Sequence, residues 1–274
     1  MAITAKDVMD LRNKTGLGMM ECKAALAETG GDVQKAIDLL RQKGIAKMDS
    51  RADRASAAGQ ILTAVTPDKK KGAVVEINTE TDFTAGNESF KKMMGVVVAE
   101  ALKQAPGDVE PNEVIKHAID EVRITTKENV RYTRGQVIGG GPHTVVGHYT
   151  HFNGSVGVLV ELEVADGAQV ADELLADLGM HVTAIHPRPI AVDEHGVPAD
   201  VIAREKQIAK AQAIEQGKPE QIAEKMVVGK IRKFYEDHCL TEQCFIKDEK
   251  KRIKEILPKG VKIKSFVRYQ VGLK

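Results

Sequence analysis

Eight histidines and three cysteines are the residues of this 274-residue chain best suited to metal ligation, proton transfer or nucleophilic attack. Their spacing supports none of these. On a strand, His148 and His151 point to opposite faces, and His181 and His186 stand five apart with Pro187 beside the second. No Cys, Asp or Glu completes a ligand set near either pair, so no metal site is expected. Cys239 and Cys244 read as a buried thiol and a bystander, and no Ser or Cys occupies a nucleophile's strand–turn–helix setting. Neither Gly217-Lys218 nor Gly229-Lys230 is followed by a hydroxyl residue, which excludes a P-loop. Gly139-Gly140-Gly141-Pro142 does not lead into a capped helix and reads as an interdomain hinge rather than a phosphate cradle. The expectation is a protein without cofactor, metal or covalent chemistry of its own.

Two features suit contact rather than catalysis. The chain has no Trp and six Phe, yet Phe83 follows the apolar strand Ala73–Asn78 in the polar segment Thr79-Glu80-Thr81-Asp82-Phe83-Thr84. It is either a staple against the helix that follows, toward Phe90 or Met94, or an aromatic probe for a partner. Met19 and Met20 pose the same alternative, as fillers of a small core or as an exposed anchor. Both cannot enter one small core from a single helix face.

These residues need a scaffold, and composition bounds it. Apolar residues make up 42% and charged residues 29%, as in an ordinary globular chain, and the net charge of +1 argues against a bulk nucleic-acid binder. No apolar run approaches the roughly 18 residues of a membrane span. The first residues lack the marks of a signal or transit peptide, and three unpaired cysteines fit a reducing compartment, so a cytoplasmic location is expected. From Lys247 onward ten Lys or Arg face three Asp or Glu. That strip reads as a solvated surface balancing acids elsewhere, with an RNA-facing strip as the alternative.

The patterning predicts an α+β chain. Residues 1–45 read as three short helices: Thr4 and Asp7 start the first, and Gly16-Leu17-Gly18 turns into the second. Val33, Ala36, Ile37 and Leu40 stripe the third, which should end before Gly44. Residues 46–58 read as a linker. An internal repeat then predicts two related halves, 59–141 and 142–274, each an antiparallel sheet with helices on one face. In each, a hairpin leads to a helix (near 88–104 and 169–184) and then to a late strand (130–135 and 266–272). The turn Asn153-Gly154 is a strong hairpin signal. The first half has an extra helix near 111–127, and an antiparallel helical hairpin over 199–236, turned at Gly217-Lys218-Pro219, interrupts the second.

The segment Thr79–Thr84, together with Leu11-Arg12-Asn13-Lys14-Thr15-Gly16-Leu17-Gly18-Met19-Met20-Glu21-Cys22-Lys23, resembles the elongation factor Ts family, the guanine-nucleotide exchange factors of elongation factor Tu. The resemblance extends over nearly the whole chain. It implies a ubiquitin-associated-like N-terminal unit that docks on the nucleotide-binding domain of elongation factor Tu through Leu17, Gly18, Met19 and Met20. It implies that Asp82 and Phe83 intrude near the partner's Mg²⁺, and that Phe83, Thr84, Ala85 and Gly86 form the segment that dislodges the ion. His151 matches a His-bearing hairpin near the partner, and Met180-His181 matches a family run assigned to partner contact. The helical hairpin matches a coiled-coil insertion linked to self-association, hence a possible homodimer. Thr84 stands where Val is common and Gly86 where a basic residue is common. Some relatives carry a further C-terminal helix that reaches the partner, and with Lys274 directly after the final strand that contact is not expected here.

Overall fold

The computed structural model describes residues 3–49, 55–217 and 219–273. Three helices open the chain: α1 (Ala5–Thr15), α2 (Met19–Glu28) and α3 (Val33–Asp49). There follow β1 (Ala58–Val65), β2 (Lys71–Thr79), α4 (Asp82–Gly86), α5 (Glu88–Ala101), β3 (Gly107–Asp108), α6 (Glu113–Thr126) and β4 (Arg131–Gly139). The remainder comprises β5 (Thr144–Thr150), β6 (Val156–Val164), α7 (Asp172–Ala184), α8 (Ala199–Glu215), α9 (Glu220–His238), β7 (Cys244–Phe245), β8 (Asp248–Arg252), α10 (Ile253–Ile256) and β9 (Val261–Gln270).

The first helix begins as its residues dictate. Thr4 accepts from the Asp7 amide at 3.2 Å while the Asp7 carboxylate accepts from the Thr4 amide at 2.9 Å, a reciprocal cap. Gly16, at φ 69°, ends it in the left-handed region. Val8, Leu11, Cys22, Leu26, Ala36 and Leu40 bury a small core of this unit's own. The third helix does not stop before Gly44 as expected; it continues to Asp49. Gly44 is there for closeness rather than termination, because a Cβ on it would lie 2.9 Å from the Ile124 side chain of α6. Of the expected linker, 46–49 are helical, β1 takes over at Ala58, and 50–54 lie outside the described residues.

Two main antiparallel sheets follow, ordered β1-β2-β4-β3 and β5-β6-β9, with β7 and β8 as a separate two-stranded pair. Each main sheet carries helices on one face. Ala73, Val75 and Ile77 of β2 pack with Phe90, Met94 and Val97 of α5 and with Ile115 of α6. Val158, Val160 and Leu162 of β6 pack with Leu175, Leu178 and Val182 of α7. The opposite faces are not solvated. Ile61, Val74 and Ile138 of the first sheet meet Val146 and Leu159 of the second in a shared cluster, so helices, two sheets and a helix stack in four layers. Gly157 permits the close approach, since a Cβ there would fall 2.4 Å from Ile61.

The expected hinge at 139–141 is instead a fastened crossover. Gly140 donates to the Lys70 carbonyl at 2.7 Å and Val146 to that of Lys69 at 2.6 Å. The two late strands are longer than expected, with β4 running on to Gly139 and β9 starting at Val261.

Between α7 and β9 the chain makes the α8–α9 hairpin. Its helices touch through small residues, Ala209, Ala213 and Ala223, while Ile214, Ile222 and Val228 are exposed. Phe234 and Tyr235 anchor its root against Ala191, Val197 and Cys239. Lys218 of the predicted turn lies outside the described residues.

Candidate functional site

The corner after β2 is built by hydroxyl and carboxylate groups. Thr81 is extended, and its Oγ1 accepts from the Thr84 amide at 3.2 Å, capping the single turn of α4. Asn87 then caps α5 by accepting from the Phe90 amide at 2.8 Å. Two caps six residues apart force the chain through a tight helical corner rather than the polar loop expected from sequence.

On that corner Phe90 is fully buried and Phe83 is 84% exposed. The staple reading of Phe83 therefore falls: its ring covers none of the core. Asp82 and Gly86 are exposed beside it, whereas Thr84 and Ala85 face inward and are buried.

Glu128, just beyond α6, holds the approach to this corner. Its carboxylate accepts from Thr79 Oγ1 at 2.8 Å, from the Thr81 amide at 3.1 Å and from Thr81 Oγ1 at 2.7 Å. Burial works to raise its pKa, and hydrogen bonds from Thr81, Thr84 and Thr79 outweigh it, leaving the carboxyl below its usual value.

A second exposed ring adjoins the corner, and the sequence reading missed it. Gln60 Nε2 donates to the Ala85 carbonyl at 2.7 Å, and the neighbouring Ile61 amide donates to the Gly154 carbonyl at 2.7 Å. The start of β1 therefore fastens both α4 and the β5–β6 turn, on which Phe152 is 91% exposed. His151 lies half-buried just past the end of β5, its ring 4.6 Å from that of Phe152. An aromatic beside the Asn153-Gly154 turn was the available signal.

The other sequence-selected residues divide. Met20 is 75% exposed, Met19 and Gly18 are exposed beside it, and Leu17 is turned in against the three-helix core. Met180 is half-buried and His181 is fully buried, so the His181 ring does not reach the surface. Gln243 Nε2 donates to the carbonyls of Pro187 and Asp237, which leaves its Oε1 to accept from His181 Nε2 at 3.2 Å. His181 is a neutral brace whose pKa burial lowers, partly opposed by the Gln243 bond.

Part of the basic strip is paired with acids. Lys247 pairs with Asp177, Arg252 with Glu236 and Glu242, Lys254 with Glu242, and Lys264 with Glu161. These pairs favour the solvated-surface reading over an RNA strip. Among the described residues no group of three or more His, Cys, Asp and Glu is placed to hold a metal, and no helix is long and apolar enough to cross a membrane.

Comparison with known proteins agrees with this architecture. The family model described as elongation factor TS matches residues 80–273. The elongation factor Ts of Thioalkalivibrio sulfidiphilus is 42% identical over 99% of this chain and 93% of its own length. That of Aquifex aeolicus is 36% identical over 99% of both chains, and that of Nitratiruptor is 40% identical over 99% of this chain and 94% of its own. With a family model covering most of its length and relatives of this identity from end to end, the chain belongs to the elongation factor Ts family.

Proposed function

We propose that the chain binds elongation factor Tu and accelerates GDP release, with Met19 and Met20 as docking anchors and Phe83 as the residue that disturbs the nucleotide site. The observation that carries this reading is a large ring, 84% exposed, on a corner fixed by caps at both ends. A backbone already fixed in this way has little conformational freedom left to lose on binding, and one desolvated aromatic often dominates an interface.

The mechanism is linkage. A factor that binds nucleotide-free partner more tightly than GDP-bound partner must weaken GDP by the same factor. Insertion of Phe83 beside the partner's Mg²⁺, with Asp82 adjacent, shifts the cation whose charge holds the diphosphate. No bond is made or broken by this chain. Of the 82–86 segment, the outward residues Asp82, Phe83 and Gly86 are the ones available for contact, with buried Thr84 and Ala85 as their support.

The test is release of a fluorescent GDP analogue from elongation factor Tu with and without the protein. Acceleration that saturates with protein concentration supports the proposal, and an unchanged release rate rejects it. Self-association through the exposed Ile214, Ile222 and Val228 of the α8–α9 hairpin is a second, separate proposal, read by sedimentation of the protein and its Ile222→Lys variant.

A further inference from the structure

We infer that Glu128 is the positioning residue of the exchange corner, acting through Thr81 to hold Phe83 in its outward pose. This rests on the reading of Phe83 given above and extends it to a residue that touches no partner.

The helix α4 is too short to hold itself. Five residues make one helical turn, which is not stable without outside support. Its cap, Thr81, spends its hydroxyl twice: Oγ1 accepts from the Thr84 amide and donates to Glu128 Oε1. The Thr81 amide and the Thr79 hydroxyl converge on the other carboxylate oxygen. One carboxylate thus fixes both sides of the residue that starts the helix. Next to it the Asn129 amide donates to Glu80 Oε1 at 2.8 Å, so residues 79, 80 and 81 are each gripped from the 128–129 pair.

The backbone is bent to achieve this. Lys127 sits at φ 61°, a left-handed conformation unusual for a residue with a Cβ, and its amide closes α6 on the Arg123 carbonyl at 2.9 Å. That turn directs Glu128 back toward Thr81 across 47 residues of sequence. The left-handed Lys127 ends α6 as an αL cap does, and places Glu128 directly after the helix end.

The test combines Glu128→Ala, Glu128→Gln and Phe83→Ala with the Glu128→Ala/Phe83→Ala double variant. Each is measured for maximal GDP-release rate from elongation factor Tu, half-saturating concentration, melting temperature and hydrogen exchange of the Thr81 amide. Glu128→Ala should expose the Thr81 amide and cut the maximal rate roughly ten-fold while the half-saturating concentration changes little, because the docking anchors remain. Glu128→Gln, which keeps one acceptor oxygen, should recover part of the loss. In the Phe83→Ala background Glu128→Ala should cost nothing further. If Glu128→Ala does not fold, Thr81→Val carries the test: from an exposed position it removes the hydroxyl bond to Glu128 together with the cap on Thr84, and leaves Glu128 its bonds from Thr79 Oγ1 and the Thr81 amide. An unchanged rate despite an exposed Thr81 amide, or a full additional loss in the Phe83→Ala background, overturns the inference. If Phe83→Ala alone leaves GDP release intact, the functional reading fails instead, which the single variants distinguish.

Discussion

The two sheet halves repeat one another down to an irregularity. In the first, buried Glu76 of β2 precedes a register shift and pairs with Arg134 of β4 at 2.7 Å. In the second, buried Glu161 of β6 precedes a register shift and pairs with Lys264 of β9 at 2.9 Å. What differs is what each central strand delivers. β2 leads into a doubly capped corner that carries an exposed ring, whereas β6 leads into Ala165-Asp166-Gly167-Ala168, with neither aromatic nor helical turn. The comparison teaches that the sheet is a common mount, and that a capped helical corner with an exposed ring follows only one of the two central strands.

If the shared cluster between the sheets makes one folding unit of the two halves, core damage on either side should be felt by both. Phe90→Ala in the first half should cost about 4 kcal/mol and Leu178→Ala in the second about 3 kcal/mol. Denaturant unfolding should stay a single transition in each variant. Two separated transitions would break the comparison by showing that the halves stand alone.

The repeated glutamates should differ in worth. Glu76 also accepts from the Gly272 amide at 3.2 Å, and its partner Arg134 lies over the Tyr269 ring at 4.1 Å, so Glu76→Ala strands several groups. Its cost should be about 3 kcal/mol. Lys264 is well exposed and can turn to water, so Glu161→Ala should cost about 1 kcal/mol. Equal losses by chemical denaturation would mean that the tie to the last residues adds nothing.

The contact rings should separate stability from function. Phe83→Ala should reduce GDP release by about 2 kcal/mol of transition-state stabilisation, roughly thirty-fold, with an unaltered melting temperature. Phe152→Ala should cost less than about 1 kcal/mol in the same assay. A destabilised but fully active Phe83→Ala protein would sink the proposed role.

The smallest effect is acid sensitivity of the second half. Burial lowers the His181 pKa, so the unfolded chain takes up its proton first. Stability from this group is complete at neutral pH and falls as pH drops below about 6.5, toward the folded value. His181→Gln, which can still donate to Gln243, should flatten that part of the unfolding profile. The lowered carboxyl of Glu128 has its own window: its contribution is lost only at pH below about 4.5.

Much of this was legible in the residues. Local signals wrote the caps and turns: Thr4 with Asp7, Gly16, and Asn153-Gly154 each act within a few positions of themselves. Phe83 could be singled out, but not oriented, because sequence does not reveal whether a neighbouring helix has room for a ring already displaced by Phe90. The face-to-face sheets were missed although the continuous apolar runs of β2 and β6 are what strands covered on both faces look like. His181 lies one position from Val182 and three from Leu178 on α7, and that apolar stripe foretold its burial. Glu128 carried no signal, since its partners lie 47 and 49 residues away.

One mounting detail bears on how two weak contacts become a strong one. The three-helix unit rests on α6: Ile124 fills the notch at Gly44 and packs against its core, and Lys127 reaches Glu21 at 3.5 Å. The next residue along the chain is Glu128, which grips the Phe83 corner. The methionine tip and the ring are therefore borne on one short stretch of helix rather than strung on a flexible tether. On the function proposed above, a partner caught by the first meets the second at an effective concentration set by that span, and loosening the Ile124 seat would dilute the second contact without altering a single atom of it.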